Sequence, residues 1–283
     1  MSVTASDQVA SFAGAVAEGR VGDRLWLYAT YHCNLTCSYC LTESHPRIAD
    51  RRALDPALMV QSVRDASALG FRSVGITGGE VFMLPSFPRT LVAIAQILPT
   101  IALSNGMLFT DRVLDELVLL AGLDCAIQLS LDSHDPVAND RFRGPGCFDH
   151  VVAAIPRLRE RGIRVRVATT VVDVDANLDA LCTLHRSLGV PDEDHIVRSV
   201  VRRGRAVTED MGFDLEDGAT LPELTLTADG TFLHPFAPTV HDGVIDTDLR
   251  ISDRVGPLHE ALAAFLSHEQ TQLRGSDVVR NVR

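Results

Sequence analysis

The chain is predicted to be an α/β protein built on parallel strands. Three observations carry that expectation. Six short apolar runs recur at regular spacing, a segment of helical period separates each from the next, and polar or glycine-rich residues follow several of the runs. Strands joined by helices pair in parallel through right-handed crossovers. The outcome is an α/β barrel, closed or partial, or a doubly wound sheet. Both gather reactive side chains at the C-terminal ends of their strands.

The first run, "RLWLYAT" (24–30), leads straight into "YHCNLTCSYC" (31–40). The next segment, 54–70, reads as a helix: Asp55 suits the N-cap, Pro56 the first turn and Gly70 the end, while Leu58, Val60, Val63, Ala66 and Leu69 follow helical spacing. Strand "RSVGITGG" (72–79) precedes helix 87–98, and strand "TIALSNG" (100–106) precedes helix 110–122. Strand "CAIQLSLD" (125–132) is followed by a polar loop and then helix 148–162. Strand 164–172, helix 177–189 and a sixth strand, 195–201, complete the alternation. After Gly204 an acidic, glycine-containing stretch reads as a linker or surface loop. "LTLTADGTFLHP" (224–235) reads as a hairpin turning at Asp229-Gly230, and 257–269 as a final helix.

Composition narrows the function. The 283 residues are 46% hydrophobic, enough for a sizeable core, and the net charge of −11 argues against a nucleic-acid surface. Every one of the 26 basic side chains is arginine. No apolar run reaches the roughly 18–20 residues of a membrane span, and the N-terminus lacks the basic region of a signal peptide. A cytoplasmic protein is expected, in which clustered cysteines point to metal or catalysis rather than disulfides.

Cys33, Cys37 and Cys40 can converge on one soft metal centre. Zinc is one reading, with His32, Glu43 or His45 as a fourth ligand. A cubane iron–sulfur cluster is the other, and three cysteines leave one of its irons open to a small molecule. The spacing C-x3-C-x2-C, with Tyr39 before the last cysteine, resembles the signature of the radical S-adenosylmethionine (radical SAM) superfamily. The resemblance implies a partial (β/α)6 TIM-like barrel over 23–206 and one [4Fe-4S] cluster held by Cys33, Cys37 and Cys40. It also implies SAM on the open iron, and a 5′-deoxyadenosyl radical that abstracts hydrogen from substrate.

Further segments extend the resemblance. "GITGGE" (75–80) is similar to the family's Gly-Gly-Glu segment: Gly78 and Gly79 would let backbone approach a ligand, and Glu80 or a nearby carbonyl would accept from the SAM ammonium. Val81 stands where the family often has proline. Asn105 in "LSNG" reads as a cofactor contact or a plain turn. In "LSLDS" Ser130 would meet the SAM carboxylate or ribose, and Asp132 would sit beside substrate or brace the loop. Arg143 would pair with the SAM carboxylate, with Arg141 its competitor, because a planar guanidinium binds carboxylates bidentately. Cys147 reads as a helix cap or packing residue, and Cys125 and Cys182 as core.

"RSVVRRGRA" (198–206) resembles the sixth-strand end of members with a SPASM or twitch extension, whose cysteines bind auxiliary clusters. No cysteine follows Cys182, so 207–283 is expected to be a degenerate α+β extension, with His234, His241 and Asp242 in capping or core roles. About 22 residues precede the first strand, too few for a leader-binding domain, which favours a small-metabolite substrate. Without an auxiliary cluster, redox-neutral chemistry (epimerisation, rearrangement or C–C bond formation) is favoured over two-electron oxidation. Modification of a ribosomally made peptide and a non-catalytic metal-binding scaffold are the alternatives. The expected partners are the substrate and a reductant such as flavodoxin or ferredoxin, with no nucleic acid and no membrane.

Overall fold

The computed structural model describes residues 5–172, 177–214 and 220–280. A helix α1 (Ala5–Ala17) precedes β1 (Arg24–Tyr28), α2 (Pro56–Leu69), β2 (Ser73–Thr77), α3 (Phe87–Ala95), β3 (Thr100–Ser104) and α4 (Asp111–Leu117). Then follow β4 (Cys125–Ser130), α5 (Pro136–Arg143), α6 (Cys147–Arg159), β5 (Arg164–Val171), α7 (Leu178–Ser187) and β6 (His195–Ser199). The remainder comprises a short α8 (Arg205–Thr208), β7 (Thr225–Thr227), β8 (Gly230–Phe232), β9 (Val240–His241), β10 (Val244–Ile245), β11 (Arg250–Ser252) and α9 (Leu258–Arg280).

Strands β1 to β6 lie side by side in sequence order, every neighbouring pair parallel. β1 and β6 do not pair, so the sheet curls without closing: a partial (β/α)6 barrel. The 207–283 segment adds to this same sheet. β7 pairs parallel with β1, β8 pairs antiparallel with β7, and β11 pairs antiparallel with β8. β9 and β10 form a separate small hairpin. β1 to β4 are mostly apolar and buried because helices cover one face and the barrel interior the other, whereas the edge strand β6 is exposed over residues 197–199. Fully buried Leu25, Leu27, Ile76, Leu91, Ile94 and Leu114 join one continuous core. Burying each such side chain contributes roughly 1.5–3 kcal/mol.

Local chemistry explains the helix ends. Asp55 Oδ1 accepts from the N–H groups of Ala57 (2.9 Å) and Leu58 (3.0 Å), Pro56 occupies the first turn, and Gly70 closes α2 at φ 97°.

The structure corrects several expectations. The polar loop after β4 contains a helix, α5: Asp135 caps it by accepting from Val137 and Ala138, and Pro136 starts it, the same signals that mark α2. An unassigned N-terminal helix, α1, packs on α9 and α2. Of the two readings of Cys147 it is packing that fits: Gly146 is the N-cap, at φ 78°, and Cys147 is the first helical residue, fully buried. Cys182 is half-buried rather than core, its Sγ 3.4 Å from His195 Nδ1. The hairpin turns on Ala228-Asp229, and Gly230 is already in β8. It is glycine because a Cβ there would stand 2.0 Å from the Ser252 carbonyl. The final helix runs on to Arg280. Of the acidic stretch read as a linker, 215–219 lies outside the described residues.

Candidate active site

The C-terminal ends of the barrel strands open onto a cavity of about 480 Å³. Cys33, Cys37 and Cys40 line it, with Tyr39, Gly78, Gly79, Asn105, Ser130 and Arg143. Two further candidates, Glu80 and Asp132, stand behind this wall and brace it.

Glu80 has no solvent exposure, and its carboxylate is fully occupied. Oε1 accepts from Ser104 Oγ (2.9 Å) and the Phe82 N–H (3.1 Å), and Oε2 accepts from the Asn105 N–H (2.7 Å). Burial pushes its pKa up to about 6, and these hydrogen bonds only partly offset the push. The side chain therefore pins the loop after β2 to the end of β3. Val81–Met83 follow as one 3-10 turn in place of the family's proline.

Gly78 and Gly79 give the cysteine loop room. A Cβ on Gly79 would lie 2.3 Å from the His32 carbonyl oxygen, and one on Gly78, at φ 149°, 2.5 Å from that of Thr30. In this contact the Gly79 N–H donates to Thr30 O (2.6 Å) and the Glu80 N–H to His32 O (2.9 Å). The pair thus presses two loops together backbone to backbone.

Asn105 reaches the cysteines directly: Nδ2 donates to Asn34 Oδ1 (2.8 Å) and lies 3.6 Å from Cys33 Sγ. Half-buried Tyr39 joins the buried Asp132 and Arg143 in a triad. The Tyr39 hydroxyl donates to Asp132 Oδ2, and Arg143 Nη1 donates to Tyr39 Oη (2.5 Å) and to Asp132 Oδ2 (3.3 Å). Asp132 Oδ1 also accepts from the Thr170 N–H at 2.9 Å. Burial would lower the Arg143 pKa, but Tyr39, Asp132 and Cys37 beside it outweigh that and raise it well above the usual guanidinium value. Its Nε is buried without a partner, an unmet donor on a cavity-lining side chain. Arg141, by contrast, is exposed and lies over the Phe142 ring.

Burial pushes the Cys33 thiol up to about 12 and raises Cys37 as well, with Glu80 adding to the first and Arg143 opposing the second. Thiols so disfavoured as anions bind a cation by giving up protons to it. Cys147 is also raised, to about 11, by burial. His234 is buried and stacked on Phe236 (centroids 4.7 Å apart), and burial pulls it down to about 4, so the ring is neutral. His241 lies outside the cavity wall, with Nδ1 3.3 Å from Glu43 and Nε2 3.7 Å from Asp242.

Cavity residues that sequence reasoning missed include Trp26, Tyr28, Thr170, Arg198 and Phe236. Thr170 and Arg198 sit near the ends of β5 and β6, where the rule that found Ser130 also applies. Tyr28 donates to Thr42 Oγ1 (3.0 Å), which lies 3.8 Å from Cys40 Sγ.

Residues 27–182, more than half of the chain, match the sequence profile of the Radical SAM superfamily. The chain belongs to that superfamily. Radical SAM enzymes use a [4Fe-4S] cluster and SAM, and the donor set here fits both: three thiols on one wall, a carboxamide at Cys33 and an unmet guanidinium donor. The chain is 35% identical over 143 residues to GTP 3',8-cyclase of Chlorobaculum tepidum, covering 50% of this chain and 42% of that protein. It is 31% identical over 164 residues to the mycofactocin maturase MftC of Mycobacterium tuberculosis, covering 56% and 41%. The chain thus spans less than half the length of either relative. Among solved structures, Streptococcus suis SuiB bound to the precursor peptide SuiA superposes with a TM-score of 0.67 at 14% identity, covering 89% of this chain and 67% of that one. That likeness concerns the fold. Among the described residues no helix is long and apolar enough to cross a membrane.

Proposed function

We propose that Cys33, Cys37 and Cys40 hold one [4Fe-4S] cluster, that SAM binds beside it, and that the pair abstracts hydrogen from a small metabolite in the same cavity. The convergence of the three thiols with Gly78, Gly79, Asn105, Ser130 and Arg143 on one cavity supports this reading. When bound, the reduced cluster supplies the electron that splits SAM into methionine and a hydrogen-abstracting 5′-deoxyadenosyl radical. The protein's own residues position and shield. Asn105 donates toward Cys33 Sγ, the free Nε of Arg143 is a donor for a carboxylate, and Gly78-Gly79 let the cysteine loop pack close against the end of β2. Trp26, Tyr28, Leu103 and Phe236 keep water from the reacting centre. Glu80 and Asp132 act from behind the wall.

Residues 183–283 contain no cysteine, which supports a degenerate extension and a redox-neutral reaction such as epimerisation, rearrangement or C–C bond formation. The similarity to GTP 3',8-cyclase favours a small substrate. A peptide substrate is the second reading: β6 is an edge strand, Val197 and Phe213 are exposed there, and SuiB, of the same fold, binds a precursor peptide. The electron would come from a flavodoxin or ferredoxin.

Anaerobically reconstituted protein should carry about four irons per chain and, with reductant and SAM, release 5′-deoxyadenosine. Zinc in place of iron, or no nucleoside product, would leave a non-catalytic scaffold; about eight irons would contradict a single cluster. Substrate oxidised by two electrons with one 5′-deoxyadenosine per product would sink the redox-neutral assignment.

A further inference from the structure

Past β6 the chain turns back over the cysteine loop, and four of that loop's carbonyls accept from donors far along the sequence. The Arg205 N–H donates to Cys40 O at 2.9 Å, its Nη2 to Ser44 O at 3.2 Å, and its Nη1 to Cys37 O. The Val240 N–H of β9 donates to Leu41 O at 3.0 Å. Gly204 makes the approach possible. A Cβ there would lie 2.2 Å from Leu41 O and 2.6 Å from Cys40 O, and its φ of 58° with ψ of −133° is a backbone shape that side chains disfavour. Within the loop itself the turn bonds are long: Cys40 N to Cys37 O is 3.2 Å and Glu43 N to Cys40 O is 3.4 Å. The turn that sets Cys37 relative to Cys40 is therefore shaped from outside.

We propose that Arg205 is a positioning residue for the cluster. It fixes the Cys37–Cys40 turn in its ligating shape and holds a permanent positive charge beside the cluster, raising its reduction potential. This rests on the assignment of Cys33, Cys37 and Cys40 as cluster ligands. A fork of donors aimed at Cys37 O and Ser44 O is rigid in a way that a single ammonium is not. Reduction adds negative charge to the cluster, and a neighbouring cation stabilises the more negative state. Arg205 does not line the cavity, so it need not touch SAM or substrate.

The test is Arg205→Gln and Arg205→Lys in the full chain, reconstituted anaerobically. It reads iron content, the midpoint potential from an EPR-monitored titration, and the rate at which a chelator strips the iron. Arg205→Gln should show a lower midpoint, and iron loss faster by about tenfold, the scale of one lost charge-assisted hydrogen bond. Arg205→Lys should keep the wild-type midpoint, because the charge stays, yet lose iron faster, because the fork is gone. A Gln variant that matches wild type in both readouts overturns the proposal. Should the Gln variant be unfolded by circular dichroism, the Lys variant decides: a lowered midpoint or an unchanged stripping rate overturns it. Wild-type protein that takes up no iron would overturn the ligand assignment and this inference with it. An iron-loaded wild type with indifferent variants overturns this inference alone.

Discussion

Glu80 offers a test of how the barrel rim is held together that needs no cluster. Its carboxyl is fully buried, and its pKa rises from 4.5 to about 6 on folding. At 1.36 kcal/mol per pKa unit, ionised Glu80 lowers the stability of the folded state by ~2 kcal/mol relative to its protonated form. Because the folded value lies above the unfolded one, that stability is full below pH 4.5 and is lost as pH climbs through 6. Glu80→Gln removes the titration. The Gln carbonyl keeps the Ser104 and Phe82 donors, but its amide group faces the Asn105 N–H, opposing two donors at a cost of ~1–3 kcal/mol. The variant should therefore be clearly less stable than wild type at pH 4.5, with the gap narrowing by ~2 kcal/mol by about pH 7. Urea unfolding of the reduced apoprotein, followed by circular dichroism from about pH 4.5 to 7.5, spans both limbs of the titration and measures it. A gap that stays constant, or widens with pH, would refute the account of Glu80 as a desolvated pin.

Three further outcomes can be checked. Asp132→Asn leaves the Arg143 guanidinium buried without its counter-charge, and should cost ~3–5 kcal/mol in denaturant unfolding; a loss under ~1 kcal/mol would contradict the triad. Burial, with His195 beside it, pulls the His185 pKa down from 6.5 to about 4, and neither ring nitrogen has a hydrogen-bond partner. Its stability contribution is therefore present above pH 6.5 and lost as pH falls toward 4, so His185→Leu should flatten the acid limb of the stability profile by ~3 kcal/mol. Gly14 sits mid-helix in α1 with nothing within 4 Å of where an alanine methyl would stand, and Gly14→Ala should raise stability by ~0.5–1 kcal/mol in thermal or urea melts.

The parallel barrel was legible because β1 to β4 are buried on both faces and so read as apolar runs, and because helices alternate with them through to the exposed edge strand β6. The cysteines, Gly78-Gly79, Asn105, Ser130 and Arg143 were legible because strand ends place chemistry and the intervals are short. The role of Glu80 was not, and for Asp132 bracing the loop stood open beside facing the substrate. A buried carboxylate and a ligand-facing one look alike in sequence, and only the donors gathered from β3, α5 and β5 separate them. Helix α5 carried its signal in Asp135-Pro136, yet its polar surface hid the period. The pairing of β7 with β1 has no local signature, since nothing in either strand names a partner almost two hundred positions away.

The cysteine loop belongs to the first fifth of the chain, yet its shape depends on Gly78-Gly79, on Arg205 and on Val240. Each of those groups is added to the growing chain after the thiols and Asn34. The loop therefore reaches this shape only once the chain has been made as far as Val240, so the first of its parts to be synthesised is among the last to be set in place.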